Sequence, residues 1–164
     1  MTITRRDFGR LAAAALPASG LLLAAKPDSK FHGVQIGAIT YSFRQLTSTA
    51  DDILKYCVEL GLSSIELMGD VAENYAGIPA MGRSAGPGQQ TPEQREAARK
   101  AADDRKKWRL SVSMDKYRAL RKMYNDAGVK IDLFKLPLTV AMPDEECEYV
   151  FNAARALGAG TITM

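Results

Sequence analysis

The stretch GVKIDLFKLPLTVAMPDEECEYVFNAARALGAGTITM, residues 128–164, decides the fold. Val129–Leu136 is an apolar, β-rich run and reads as a strand, with Asp132 and Lys135 as its polar interruptions. Pro143 then opens a helix whose first turn carries Asp144, Glu145 and Glu146, where negative charge suits the helix dipole. Cys147, Val150, Phe151, Ala154 and Leu157 recur at helical spacing and predict its buried stripe. Gly158 closes the helix, and Thr161–Met164 begins another strand. From Gly128 to Gly158 is 30 residues, about the length of one strand-plus-helix unit.

The same grammar runs upstream. Val34–Phe43, VQIGAITYSF, predicts a first strand, nearly all apolar, as in a sheet buried on both faces. Thr49 and Asp52 have the spacing of a capping box. Ile53, Leu54, Cys57, Val58 and Leu60 follow on a helix that Gly61 ends, and Ser64–Met68 is a second strand. Residues 70–91, rich in Gly and Pro, read as an excursion from the core. Thr91-Pro92-Glu93 starts a charged, solvated helix running to about Trp108, with Ala97, Ala101 and Trp108 as its contacts. Leu110–Ser113 is a short strand or a connection. Tyr117, Leu120, Tyr124 and Ala127 mark an amphipathic helix from Asp115 to Gly128. Strands alternating with helices predict an α/β fold with a parallel sheet and right-handed crossovers.

The chain has 164 residues, 46% of them apolar, and a formal net charge of +3. That composition excludes collagen, coiled coil and wholesale disorder. The positive excess is concentrated at the front, where residues 1–25 hold Arg5, Arg6 and Arg10 against Asp7. The near-neutral remainder argues against a nucleic-acid partner, which requires a concentrated basic face. Residues 1–25 have the basic start and the short Ala/Leu-rich stretch of a signal peptide. Thr4, Arg5, Arg6, Phe8 and Arg10 resemble the twin-arginine export signal, which implies a periplasmic or otherwise exported protein, in contact with the membrane only during export. Residues 26–32 are a polar linker. Cys57 and Cys147 are the only cysteines. They read as two core thiols, although an oxidising compartment would permit a bridge.

GAITYSF in the first strand, CVELGLSSIEL, YNDAGVKIDLFKLPL and ARALGAGTITM, in that order, resemble the sugar phosphate isomerase/epimerase family, the xylose-isomerase-like TIM barrels. The resemblance covers residues 33–164. It implies that the chain is the N-terminal half of a (β/α)8 barrel, truncated after about four strands. A complete small α/β sandwich is the other possibility. The family acts on sugars or sugar-like small molecules by proton transfer beside a carbonyl, assisted by a divalent metal held by two Glu, an Asp and a His on later strands. None of those four positions is matched here, so no metal ligand or catalytic residue is carried over, and the chain is expected to be inactive by itself. A non-catalytic, exported sugar-binding barrel is the alternative function. Relatives of the fold that repair DNA fit the charge poorly.

In such a barrel the residues at strand C-termini face the opening. Tyr41, Phe43, Glu66 and Lys135 are therefore the candidate substrate contacts. Tyr41 and Phe43 can wall a sugar ring or simply pack. Glu66 can accept hydroxyl hydrogen bonds or pair with a lysine. Lys135 can meet a phosphate, pair with Glu66 or sit in solvent. His32, the lone histidine, falls near the barrel floor and reads as a surface or packing residue. Gly82–Gly88 lacks the strand–loop–helix setting of a phosphate loop.

Overall fold

The computed structural model describes residues 26–80 and 91–164. The twin-arginine positions Arg5, Arg6 and Phe8 and the glycines Gly82–Gly88 lie outside them. A small antiparallel hairpin, β1 (Lys30–Phe31) and β2 (Val34–Gln35), precedes the main sheet. That sheet has four strands: β3 (Ala38–Ile39), β4 (Ser64–Met68), β5 (Lys130–Lys135) and β6 (Thr161–Thr163). Their spatial order is their sequence order, and every neighbouring pair is parallel. The helices are α1 (Ala50–Glu59), α2 (Gly69–Ala76), α3 (Pro92–Ser111), α4 (Asp115–Asp126) and α5 (Asp144–Leu157). The protein is thus α/β with a four-stranded parallel sheet.

Right-handed crossovers between strands in sequential order place the helices on one side of a sheet. The core agrees with this. Ile65, Leu67, Ile131 and Phe134 point into a cluster with Ile53 and Cys57 of α1, Val71 and Ala72 of α2, Tyr117, Leu120 and Tyr124 of α4, and Val150 and Leu157 of α5. Side chains alternate along a strand, so Ser64, Glu66 and Met68 of β4 take the face opposite these helices. β5 departs from strict alternation. Ile65 pairs with Ile131 but Glu66 pairs with Leu133, so Asp132 is an extra, unpaired residue, a β-bulge. The bulge lets Ile131 and Phe134, three residues apart, both enter the core.

Several helix ends are fixed by local chemistry. Thr49 and Asp52 form a reciprocal capping box at α1, and Thr91 and Gln94 form another at α3. Gly128 and Gly158 adopt φ of +85° and +78° after α4 and α5, a conformation costly for any residue with a Cβ.

The structure departs from the sequence expectations in five places. The apolar run Val34–Phe43 is not one strand. His32, at φ +49°, and Gly33 turn the chain into the β1–β2 hairpin, β3 is two residues long, and Thr40–Phe43 coil into a 3-10 turn. Residues 26–32 accordingly contain β1, and the Ser29 side chain donates to the Ile36 carbonyl. The excursion assigned to 70–91 begins later, because Gly69–Ala76 is a helix that buries Val71, Ala72 and Glu73. Leu110–Ser113 is neither strand nor simple connection, since α3 runs to Ser111. On α5 the stripe is rotated: Tyr149 is buried, whereas Phe151 is 51% exposed. The sheet is buried on the helix side, while on the other face Glu66, Met68, Leu133 and Lys135 are half-exposed.

Candidate functional site

The helix-free face, toward the C-terminal ends of the strands, holds the chemistry-bearing side chains. Thr40 fixes its rim. The buried Thr40 hydroxyl donates to the Glu66 carbonyl at 3.0 Å and accepts from the Met68 N–H at 3.2 Å. This ties the 3-10 turn to β4 and sets Tyr41 and Phe43 on opposite sides of the turn. Tyr41 is exposed, with the Arg44 guanidinium 4.6 Å from its ring centre, an arrangement that favours a cation over the π face. Phe43 turns inward instead. It is 7% exposed and its ring centre is 5.4 Å from that of Tyr56. Of the two aromatic candidates, then, Tyr41 is available to a ligand and Phe43 belongs to the core.

Glu66 lies on β4 and reaches across β5 to β6, where its Oε1 accepts from the Thr163 hydroxyl at 2.5 Å. Among the described residues no donor takes Oε2. Lys135 shares the face, beside Met68 and Thr163 in register. Its Nζ donates to the Met164 carbonyl at 2.9 Å rather than pairing with Glu66. Nearer the strand N-termini, a shallow cleft of about 410 Å³ is lined by Gln35, Gly37, Ile39, Ser64, Glu66 and Asp132. The Ser64 hydroxyl donates to Asp132 Oδ2 at 2.6 Å, and Lys130 Nζ stands 3.3 Å from Asp132 Oδ1. Glu66, Thr163 and Lys135 together offer a carboxylate, a hydroxyl and an ammonium, a set suited to recognising a polyhydroxylated small molecule. Thr163, Thr40 and Asp132 are not among the site candidates that the sequence offers. The period-two pattern puts Thr163 on a strand face but cannot show that Glu66 crosses β5 to meet it.

A second polar cluster lies on the helix side and was not anticipated. Glu73 on α2 is 1% exposed. It accepts from Arg109 Nε at 2.7 Å, from Arg105 and Arg109 NH2 groups at 3.1 Å each, and from the Tyr149 hydroxyl at 3.0 Å. Tyr149 in turn meets the Tyr117 hydroxyl at 2.5 Å. A carboxylate only accepts, so Tyr149 donates to Glu73 and accepts from Tyr117: the chain of donors runs Tyr117, Tyr149, Glu73. Burial pulls the Arg109 pKa down, but the hydrogen bonds and charge of Glu73 outweigh it and leave it raised. Burial lifts the Tyr117 phenol to about 12 and raises Tyr149 as well. A signal was present in Arg105 and Arg109, four residues apart on one face of α3. Their partner sat in a stretch read as an excursion.

Cys57 and Cys147 are both free. Cys57 is fully buried and Cys147 half-buried, so only the first is a core thiol. His32 is exposed, its ring edge-on to Phe31. Among the described residues, no group of three or more His, Cys, Asp or Glu is placed to hold a metal ion. No described helix is long and apolar enough to cross a membrane. No protein-family model matches the chain, and no curated protein or solved structure matches it.

Proposed function

We propose that this chain is the opening half of a xylose-isomerase-like barrel, exported by the twin-arginine route, that acts on a sugar or sugar-like small molecule by moving a proton beside its carbonyl. The observation that supports the reading most is the sheet order. A doubly wound sheet reverses direction at its first strand and carries helices on both faces. Here β3, β4, β5 and β6 follow one another in a single direction with the core on one face. That is the order of a barrel wall.

In this reading the helix-free face is the barrel interior, and the strand C-termini are its mouth. Glu66 Oε2 accepts from a substrate hydroxyl while Thr163 holds Oε1. Lys135 neutralises a phosphate or polarises a hydroxyl, and Tyr41 lies against the ring. The described residues supply no ligand set for a divalent metal, so their part is confined to binding and orienting. The metal and the acid/base pair belong to later strands.

The test uses the protein from the complete reading frame, assayed in deuterated water with a panel of ketoses and aldoses. Deuterium gained at the carbon beside the carbonyl, together with bound divalent metal, supports the proposal. Glu66→Ala is expected to raise KM more than it lowers kcat, as for a contact made equally in ground and transition states. No exchange across the panel overturns the isomerase reading; saturable sugar binding without exchange then identifies a binding barrel.

A further inference from the structure

We propose that α3 is a detachable strap with Glu73 as its catch. The helix leaves and rejoins the α/β layer as one unit while β4, β5, α4 and α5 stay folded. This inference is independent of the sugar reading.

Three observations carry it. First, α3 spans 20 residues and buries none of them. The other long helices, α4 and α5, each bury several large side chains in the common core. The apolar area that usually fastens a helix to a fold is therefore small on α3, where the half-buried Trp108 is the large apolar side chain packed against the core. Second, what does fasten α3 is concentrated near its C-terminal end. Arg105 and Arg109 bind the Glu73 carboxylate, Lys106 and Arg109 stand 3.8 Å and 3.7 Å from Glu146 of α5, and Trp108 packs edge-on against Tyr149 with ring centres 6.4 Å apart. Third, the two ends of α3 are served locally. Thr91 and Gln94 cap its N-terminus with Pro92 in the first turn, and at the other end the Val112 N–H donates to the Trp108 carbonyl. The helix does not depend on the sheet to satisfy its termini.

Charge makes the catch all-or-none. Glu73 is 1% exposed, with Arg105 and Arg109 of α3 and Tyr149 of α5 on its carboxylate. Removing one partner while α3 stays docked strands a buried charge, which is strongly unfavourable. Lifting α3 as a whole admits water, which solvates the carboxylate and both guanidiniums together. Partial release is thus disfavoured relative to complete release. Lifting also uncovers the Tyr149 hydroxyl but leaves its bond to Glu73 in place, since neither residue is on α3.

Trp108 is the only tryptophan of the chain, lies on α3 and packs on α5, so its fluorescence reports docking. The experiment is a urea titration of the full chain, following Trp108 emission alongside amide exchange in α4 and β5. Expected is a Trp108 transition at lower urea than the loss of protection in α4 and β5; coincident transitions overturn the proposal. In Glu73→Gln, opening of α3 should rise by about tenfold or more, the scale set by breaking a buried ion pair, with protection in β5 changed by less than about threefold. Should that variant fail to fold, Arg105→Gln, on α3 itself, serves the same purpose. An α3 that opens more while β5 is unchanged supports the strap, and an equal loss of protection throughout refutes it.

Discussion

The directed chain from Tyr117 through Tyr149 to Glu73 makes an asymmetric prediction. In Tyr149→Phe the carboxylate loses a donor, a loss of about 1.5–3 kcal/mol for a hydrogen bond to a charged group. The same substitution leaves the Tyr117 hydroxyl, on a residue with 0% exposure, without the partner 2.5 Å away. An unsatisfied buried hydroxyl adds about 1–3 kcal/mol. Tyr117→Phe removes only the outer donor and leaves the Tyr149–Glu73 bond intact, so it should cost about 0.5–1.5 kcal/mol. In the double variant no hydroxyl is stranded. It should therefore be no less stable than Tyr149→Phe alone, and well short of the sum of the two single effects. The assay is urea unfolding of all four proteins by circular dichroism, read as a double-mutant cycle. Simple additivity, or a Tyr117→Phe effect larger than that of Tyr149→Phe, would refute the assigned direction of the bonds.

Burial of phenols and a thiol, and the groove beside β6, have consequences in solution. The folded-state pKa of Tyr117 is raised from 10.0 to about 12, and burial raises Tyr124 and Tyr149 too. The stabilising contribution of Tyr117 is complete below pH 10.0 and is lost as pH climbs through about 12, and those of Tyr124 and Tyr149 are likewise lost on the alkaline side, so phenolate absorbance from these three should grow in step with alkaline unfolding; ionisation ahead of unfolding would contradict their burial. Burial pushes the Cys57 thiol to about 11, which at pH 7 gives about a hundredfold less thiolate than a thiol at 9.0. A thiol reagent should therefore modify Cys147 first and reach Cys57 only on unfolding, and mass spectrometry of the first adduct decides. Beside β6, an edge strand among the described residues, a groove of about 550 Å³ presents Leu138, Phe151, Ile162 and Met164. The chain should self-associate with concentration, and Phe151→Lys should weaken this in sedimentation velocity; a variant that associates as strongly would discount the groove.

Much of the fold was legible because it is built from local signals. Gly61, Gly128 and Gly158, read as helix terminators, have φ of +69°, +85° and +78°. Tyr117, Leu120 and Tyr124, read as the inner face of α4, are all fully buried. What failed depends on partners distant in the chain. Nothing within Gly69–Ala76 forecasts that Glu73 will be buried, because two arginines more than thirty residues downstream make that tolerable. Tyr149 and Phe151 are both aromatic and two positions apart, and partners distant in the chain, the Glu73 carboxylate and the Tyr117 hydroxyl, receive Tyr149 in the interior. The break in the first strand likewise follows from Thr40 bonding to β4. At the candidate site, Glu66 and Lys135 do share a sheet face. Phe43 was misplaced because residues two apart share a face in a strand but not in a 3-10 turn, so Tyr41 and Phe43 part company.

The unpaired Asp132 makes β5 tolerant of a change that the other strands would not survive. Deleting one residue from β4 would send everything beyond the deletion to the wrong side, exchanging Leu67 for Met68 in the interior. Deleting Asp132 would instead bring Ile131 and Phe134 to the ordinary spacing of two and leave both where they are. The loss would fall on what the additional residue supplies: an acceptor for Ser64, and a carbonyl that takes the Gly160 N–H just before β6. Lineages of this sequence could therefore shed that position while keeping their hydrophobic interior, and would have to reseat the fourth strand to do so.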